Sequence, residues 1–333
     1  MKIFSYTDTS YPSADGLFTE DSPIQFTKGF AEFYTQYHKD VLYYFYSEKL
    51  NAYIPIRYFK IKLFRFGQIL HSPVQSNKEL NEENQQTFYI ELIEFLKSSD
   101  FCQRLIQPHP FGIMLAVPEG SSSCAFGTYI NYLQQHTDEE LLFTYDPKYR
   151  KAINHAAKGG AEVRFGWSEF LNFYKLYQQT TNRANIHCDS VDYFETLYRC
   201  LGDKQLDFGV VYDNGEPIGA ILMLYSPYSA LCTHAGSGGE SKLYGAMKLL
   251  HYEMMKRMKA RGVLYYDLVG VRIGSTNESL EGVFRFKKGF GGELKQGFLW
   301  KLDIAPLKTK VFDMLMKIKN GNATRDIIDQ ESN

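Results

Sequence analysis

Apolar and polar residues in the second half of the chain change period several times, and each change marks an element. Residues 208–212 (Phe-Gly-Val-Val-Tyr) form a short apolar run that predicts a strand. Asp213-Asn214-Gly215-Glu216 follows, and Asn-Gly accepts positive φ at both centres of a tight hairpin. Residues 218–225 predict the returning strand and 230–234 a third. Leu243, Met247, Leu250, Met254 and Met258 then recur at helical spacing. Gly262 stands where such a helix would stop. Residues 263–268 return to a strand pattern that carries Asp267 near its end.

The first half offers a looser version of the same order. Residues 41–46 and 52–58 predict strands around a polar turn, 61–69 continues the sheet, 88–96 predicts an amphipathic helix, and 101–108 a strand. No residue-level repeat accompanies it, so the duplication rests on element order. The expected fold is α/β (α+β): two similar modules with mixed sheets flanked by helices. Helical stretches opening at 137–140 and 145–150 place the boundary near 140–160. The expected modules are 1–145 and 146–323, the latter beginning with a linking helix, and 324–333 reads as a frayed tail.

Length and charge narrow the possibilities. A chain of 333 residues predicts about two ordinary domains. With 44% hydrophobic and 23% charged residues, a disordered or fibrous chain is excluded. The 37 basic and 38 acidic side chains leave a net charge of −1, so any polyanion site must be local. No apolar run has transmembrane length, and residues 1–8 lack a signal peptide's apolar core. The five cysteines are scattered and never in C-x-x-C, which fits reduced thiols in the cytoplasm and argues against zinc. No metal is expected.

Phosphate-loop, dinucleotide, zinc-protease and nucleophile-elbow motifs are absent from the sequence. The richest segment is residues 281–292, Glu-Gly-Val-Phe-Arg-Phe-Lys-Lys-Gly-Phe-Gly-Gly. Read as a strand, it puts Phe284, Phe286 and Lys288 on one face and Arg285 and Lys287 on the other. Its glycines allow a tight turn or close approach to a ligand. A lysine held there can stabilise the oxyanion of an acyl transfer or clamp a phosphate, or simply be solvated on an aromatic strand. Lys242, Lys248, Lys256, Arg257, Lys259 and Arg261 face Glu253 alone within 242–261, and further lysines follow 285. That pattern fits either a nucleic-acid surface or the solvated face of a helix. Asp267 can take a proton from an attacking amine, or cap the next turn.

Several blocks together resemble the FemABX family of peptidyltransferases, which take amino acids from aminoacyl-tRNA and add them to peptidoglycan precursors. Residues 145–153 (Tyr-Asp-Pro-Lys-Tyr-Arg-Lys-Ala-Ile) resemble the family's "K-Y-R" helix. Residues 174–193 are similar to its "T-x-x-R" segment, with Arg183 and Tyr193 at recurrent polar positions. Residues 242–246 and 266–270 resemble the next two blocks, and 286–291 (Phe-Lys-Lys-Gly-Phe-Gly) the closing "F-K-x-x-F-G". The resemblance implies two GNAT-like modules, those of acyl-CoA N-acyltransferases. It implies Lys287 as the catalytic lysine, with proton removal left to Asp267, from its strand-end position, or to the substrate itself, and Lys28, Arg183, Tyr193, Tyr244 and Phe286 as substrate-binding residues. It implies Lys242, Arg285, Lys288 and Lys295 as contacts to tRNA. Aminoacyl-tRNA would be the co-substrate, with no resident cofactor. Where members with precursor substrates carry a basic residue, this chain has Asp189, which argues against a diphosphate there. The acceptor is then a cell-wall peptide precursor or a related cell-surface amine.

Two other readings stand beside this one. A GNAT enzyme could take a coenzyme A thioester and acylate an amino sugar, although residues 236–246 lack the usual glycine spacing of the pyrophosphate turn. A chain that has lost chemistry would be a tRNA- or precursor-binding protein. Residues 307–318 are amphipathic and basic, fitting either a packed helix or peripheral contact with the cytoplasmic membrane face.

Overall fold

The computed structural model describes residues 1–7, 21–75, 78–238, 243–275, 277–320 and 326–331. The first half runs β1 (Lys2–Ser5), α1 (Lys28–Phe33), β2 (Val41–Ser47), β3 (Ala52–Ile61) and β4 (Phe64–Ile69). A small ribbon of β5 (Val74–Gln75) and β6 (Lys78–Glu79) leads into α2 (Glu82–Ser99), then β7 (Arg104–Ile106) and β8 (Ser122–Tyr132). The linker holds α3 (Asp138–Thr144) and α4 (Pro147–Lys158). The second half runs β9 (Glu162–Phe165), α5 (Phe170–Ala184), α6 (Val191–Leu201), β10 (Leu206–Asp213), β11 (Glu216–Tyr225), β12 (Ser229–Ser237), α7 (Ala246–Ala260) and β13 (Tyr265–Asp267). It closes with β14 (Val271–Arg272), α8 (Glu278–Lys288), β15 (Glu293–Asp303), α9 (Pro306–Asn320) and α10 (Ile327–Glu331).

Local sequence accounts for much of this. Asn214 and Gly215 take φ of 48° and 81°, as the β10–β11 hairpin requires. Thr137 and Glu140 form a reciprocal capping box at α3, and Asp146 caps α4 with Pro147 in its first turn. The buried face of α7 carries Leu250, Met254 and Met258, and Gly262 follows it at φ 80°.

The strands form one sheet in the order β1-β2-β3-β4-β7-β15-β8-β13-β12-β11-β10-β9. The order is a palindrome about the antiparallel β15–β8 pair, whose register runs from Glu293↔Ile130 to Lys301↔Ser122. β4–β7 and β12–β13 are the matching parallel pairs, each joined through a helix. The expected duplication is therefore present as two mixed half-sheets. Its closing strands are exchanged: β8 from the first half hydrogen-bonds to β13, and β15 from the second half to β7. A cut at residue 145 leaves β8 on the far side of the other half's last strand. A shared core that includes Phe30, Phe33, Tyr44, Phe173, Phe194 and Phe208 lies between the halves.

Two expectations are corrected. Residues 284–288 are not a strand but the end of α8. Asn277 accepts hydrogen bonds from the Ser279 and Leu280 N–H groups, Glu278 and Glu281 occupy the first turn, and Arg285, Lys287 and Lys288 the last. That charge order suits the helix dipole, and Arg285 pairs with Glu281 at 3.0 Å one turn back. The tail is not frayed over 326–331. Ile328 is fully buried, and Lys301 holds Asp326 and Asp329 at 2.9 and 2.6 Å. Residues 324–325 and 332–333 lie outside the described residues.

Candidate active site

β12 and β13 pair only from Ser229↔Tyr265 to Leu231↔Asp267. Beyond that point β12 continues to Ser237, while its partner segment leaves it, turns at 268–270 and resumes along β8 as β14. The turn is strained. Val269 sits at φ 50°, where a β-branched residue is rare, and Gly270 at φ 51°. Strain of this kind persists only when its surroundings hold it.

Two side chains supply that hold. Asp267 accepts through one oxygen, Oδ1, from the Thr128 hydroxyl and from the Val269 N–H at 2.7 Å. Burial raises its carboxyl above the ordinary value, although both hydrogen bonds work the other way. Lys287, reaching over from α8, donates its Nζ to the carbonyls of Val269 and Gly270, the latter at 2.7 Å. Burial lowers its ammonium below the ordinary value. An ammonium has three N–H donors, and two are engaged here. Asp267 thus does cap the turn, and the same turn binds it to Lys287.

Lys287 is half-buried. Cys232 on β12 is half-buried, and burial pushes its thiol up to about 12, which disfavours the thiolate. His251 on α7 shares a 2.8 Å hydrogen bond with the Tyr266 hydroxyl, and burial, with Lys287 beside it, holds its imidazole near 3. Phe286 packs among Tyr149, His251 and Phe290, with ring centres 5.2–6.2 Å away. It supports the wall behind Lys287.

The closing glycines bind this chain rather than a ligand. A Cβ at Gly289 would lie 2.2 Å from the Tyr149 ring, and one at Gly291 (φ 70°) 2.0 Å from the Thr144 carbonyl. They let the end of α8 seat against α3 and α4.

Strand alternation sends Tyr265 and Asp267 to the sheet face opposite Tyr266. There a cavity of about 380 Å³ is lined by Asp267, Thr128, Tyr132, Tyr228, Tyr265, Lys295 and, from the first half, Glu79 and His71. Phe111 lines both this cavity and a second one of about 250 Å³. The second holds Tyr193, Asp189, Arg57, His38, His109 and His234. Tyr193 is packed against Phe33, Tyr37 and His234. Asp189 bonds the Tyr177 hydroxyl at 2.9 Å and lies 3.3 Å from His234. Burial works to raise its carboxyl, but those partners hold it below the ordinary range. His109 is half-buried with its Nδ1 buried and unpartnered, and burial lowers it to about 3.

The remaining expected residues scatter. Arg183 is exposed and ties α5 to the end of β12 through the Ser237 carbonyl at 2.8 Å. Tyr244 is exposed under Lys248, 5.2 Å from its ring centre. Lys28 is exposed, 3.7 Å from Glu32, in an open cleft of about 560 Å³ with Lys204 and Arg261, outside the cavity of Tyr193. Lys242 lies outside the described residues. Lys288 and Arg285 are exposed on α8.

Much of the basic run is paired within the fold. Lys295 is paired with Glu79 at the cavity wall, not displayed on an open face. Arg257 on α7 and Arg261 just past its end hold Asp207 at 2.6 and 2.9 Å, Lys259 holds Asp138 at 2.8 Å, and Lys256 holds Glu253 at 2.9 Å. The run looks unbalanced in sequence because most of its counter-charges come from distant elements. Sequence reasoning also missed Glu79, Thr128 and the cavity tyrosines. Alternation in Tyr265-Tyr266-Asp267 was the one available signal.

Residues 147–288 match the family model described as "Acetyltransferase (GNAT) domain". The chain superposes on a crystal structure of FemX with a TM-score of 0.68 at 12% identity, over 94% of this chain and 100% of that one. It is also similar to the C-terminal domain of a putative lysylphosphatidylglycerol synthetase from Agrobacterium fabrum (TM-score 0.55, 14% identity, 94% and 98% covered). A tandem GNAT protein from the clavulanic acid biosynthesis pathway matches at TM-score 0.51 and 10% identity, over 91% and 98%. The fold is a FemX-like tandem GNAT fold, in the α/β class.

Proposed function

We propose that this protein is an aminoacyltransferase that moves an amino acid from charged tRNA to an amine of a cell-wall peptide precursor or related cell-surface acceptor. The observation that carries the reading is the strained turn at 267–270, held by Asp267 on one side and by Lys287 on the other, where β12 and β13 part. The acceptor nitrogen attacks the ester carbonyl carbon, and a C–N bond forms. The carbonyl oxygen, now an oxyanion, meets the third N–H of Lys287. Collapse breaks the bond to the terminal ribose oxygen of the tRNA. The amine's proton passes through Asp267, whose raised carboxyl suits a base, to that leaving oxygen.

Two features favour tRNA over a coenzyme A thioester as donor. The start of α7, where GNAT enzymes seat pyrophosphate, is packed against α4: a Cβ at Gly245 would lie 2.1 Å from the Ala152 carbonyl. The Tyr244 carbonyl beside it lies 3.3 Å from His155 Nδ1 on α4. On the acceptor side, the Asp189 carboxylate lines the cavity of Tyr193 and opposes a diphosphate there.

This reading puts the protein in the cytoplasm, with peripheral contact to anionic membrane. Among the described residues no helix is long and apolar enough to cross a membrane. α9 seats Phe312 on Phe64 and Phe66 but exposes Leu307, Val311, Met314, Leu315 and Ile318. Lys308, Lys310 and Lys317 flank that stripe, and Leu63, between Lys62 and Phe64, is 92% exposed.

The direct test is a transfer assay with labelled aminoacyl-tRNA and precursor peptides that carry a free amine. Label appearing in the peptide supports the proposal. Transfer from a coenzyme A thioester alone would replace it with the acyl-CoA reading.

A further inference from the structure

The cavity of about 380 Å³ beneath Asp267 is a built pocket with an unusual lining. Three tyrosines, Tyr132, Tyr228 and Tyr265, stand in it, with the Tyr265 ring edge-on to both others at 5.3 Å. Two carboxylates, Glu79 and Asp267, share it with one cation, Lys295, which is paired to Glu79. Burial lowers the His71 imidazole below the ordinary value, which disfavours a second cation in the cavity. Glu79 is paired with Lys295, while Lys295 and Lys287 act on Asp267 only through space, so among the described residues Asp267 is the lining carboxylate without a direct ion pair. Its hydrogen bonds from the Thr128 hydroxyl and the Val269 N–H both end on Oδ1, and Asp267 lines the cavity.

Tyrosine rings with a nearby unpaired carboxylate are the chemistry that recognises a small organic cation: the ring faces attract it and the carboxylate neutralises it. The volume of about 380 Å³ has room for an alkyl arm. We propose that this cavity is an alkylammonium site, which delivers an amine-bearing arm to Asp267. The inference rests on the transferase reading for its purpose, but not for its binding chemistry. The ammonium belongs either to the acceptor's attacking amine or to the α-amino group of the transferred amino acid, and both present the same group to the cavity.

The test uses the full chain with n-butylammonium chloride as probe and n-butanol as its uncharged match. Binding is followed by calorimetry and ligand-observed NMR. The cation is expected to bind at least about ten-fold more tightly than the alcohol. Tyr265→Leu should weaken the cation about five- to ten-fold, while Tyr265→Phe, which keeps the ring, should retain it. Urea midpoints establish that each variant is folded. If Tyr265→Leu does not fold, Tyr228→Leu with Tyr228→Phe makes the same comparison. Equal binding of cation and alcohol, no binding of either, or folded leucine variants that bind the cation unchanged would overturn the proposal. Competition with charged tRNA then separates the sources: a competitive probe occupies the place of the donor's α-amino group, and a non-competitive one that of the acceptor. Retention of charged tRNA without cation binding sinks this site but not the transferase reading, and cation binding without tRNA retention does the reverse.

Discussion

Replacing Lys287 by Met removes the ammonium while keeping most of the side chain's length, so it separates what the charge does from what the packing does. In the native fold that ammonium spans the Val269 and Gly270 carbonyls. Each charge-assisted hydrogen bond contributes on the order of 1.5–3 kcal/mol. The freed carbonyls regain some water at the open end of the β12–β13 split, so the lower end applies, and the expected loss of stability is about 2–3 kcal/mol in total. The chemical loss is separate. Removing an oxyanion donor costs roughly 100- to 1,000-fold in turnover, about 3–4 kcal/mol of transition-state stabilisation. Urea unfolding measures the first and single-turnover transfer from saturating charged tRNA the second. The expected result is a folded variant that retains charged tRNA and transfers at least about 100-fold more slowly. Less than about ten-fold loss, or a loss that simply follows weakened tRNA retention, would refute the role given to Lys287.

Asp207→Asn should destabilise the chain by about 2–3 kcal/mol, because it leaves Arg257 and Arg261 without their buried counter-charge, although both arginines keep some water; chemical denaturation measures it. Gly291→Ala forces a Cβ against the Thr144 carbonyl at positive φ and should cost several kcal/mol, read as a lowered Tm or lost expression, on the order of the larger overpacking penalties. His109 and His251 are held neutral with values near 3, against about 6.5 in an unfolded chain. Their contribution is therefore complete above pH 6.5 and is lost as pH falls toward 3, because only the unfolded chain takes up the protons; by pH 5 the loss is about 2 kcal/mol per histidine. Urea midpoints from pH 7.5 to 5 should fall accordingly, and His251→Gln should flatten part of that slope. Leu307→Ser with Ile318→Ser should release the protein from vesicles containing anionic lipid without changing transfer to a water-soluble acceptor, as read by co-sedimentation.

Much of the fold was legible because its signals are local. Asn214-Gly215, the 3.6-period methionines of α7 and Gly262 each specify their element within a few residues. The segment 284–288 was misread because five residues of aromatic and basic alternation satisfy a strand as readily as a helix end. The deciding signals, the Asn277 cap and the Glu281–Arg285 pair, involve residues further upstream. The strand exchange of β8 and β15 has no local signature at all. Lys287 and Asp267 could be named from motif and strand position, whereas their shared turn depends on Val269 adopting φ 50°, which no side chain there advertises. The cavity is harder still. Glu79 and Lys295 are 216 residues apart and meet only because β15 crosses to the first half's sheet. The same long-range pairing explains why counting charges along α7 suggested a polyanion surface that Asp207 and Asp138 largely neutralise.

The central claim is that charged tRNA is the donor, and filter retention of labelled aminoacyl-tRNA with coenzyme A as competitor tests it most directly. The account predicts retention that exceeds that of uncharged tRNA, weakens as salt rises, and ignores coenzyme A. Failure to retain charged tRNA, together with a melting temperature raised by coenzyme A, would contradict it.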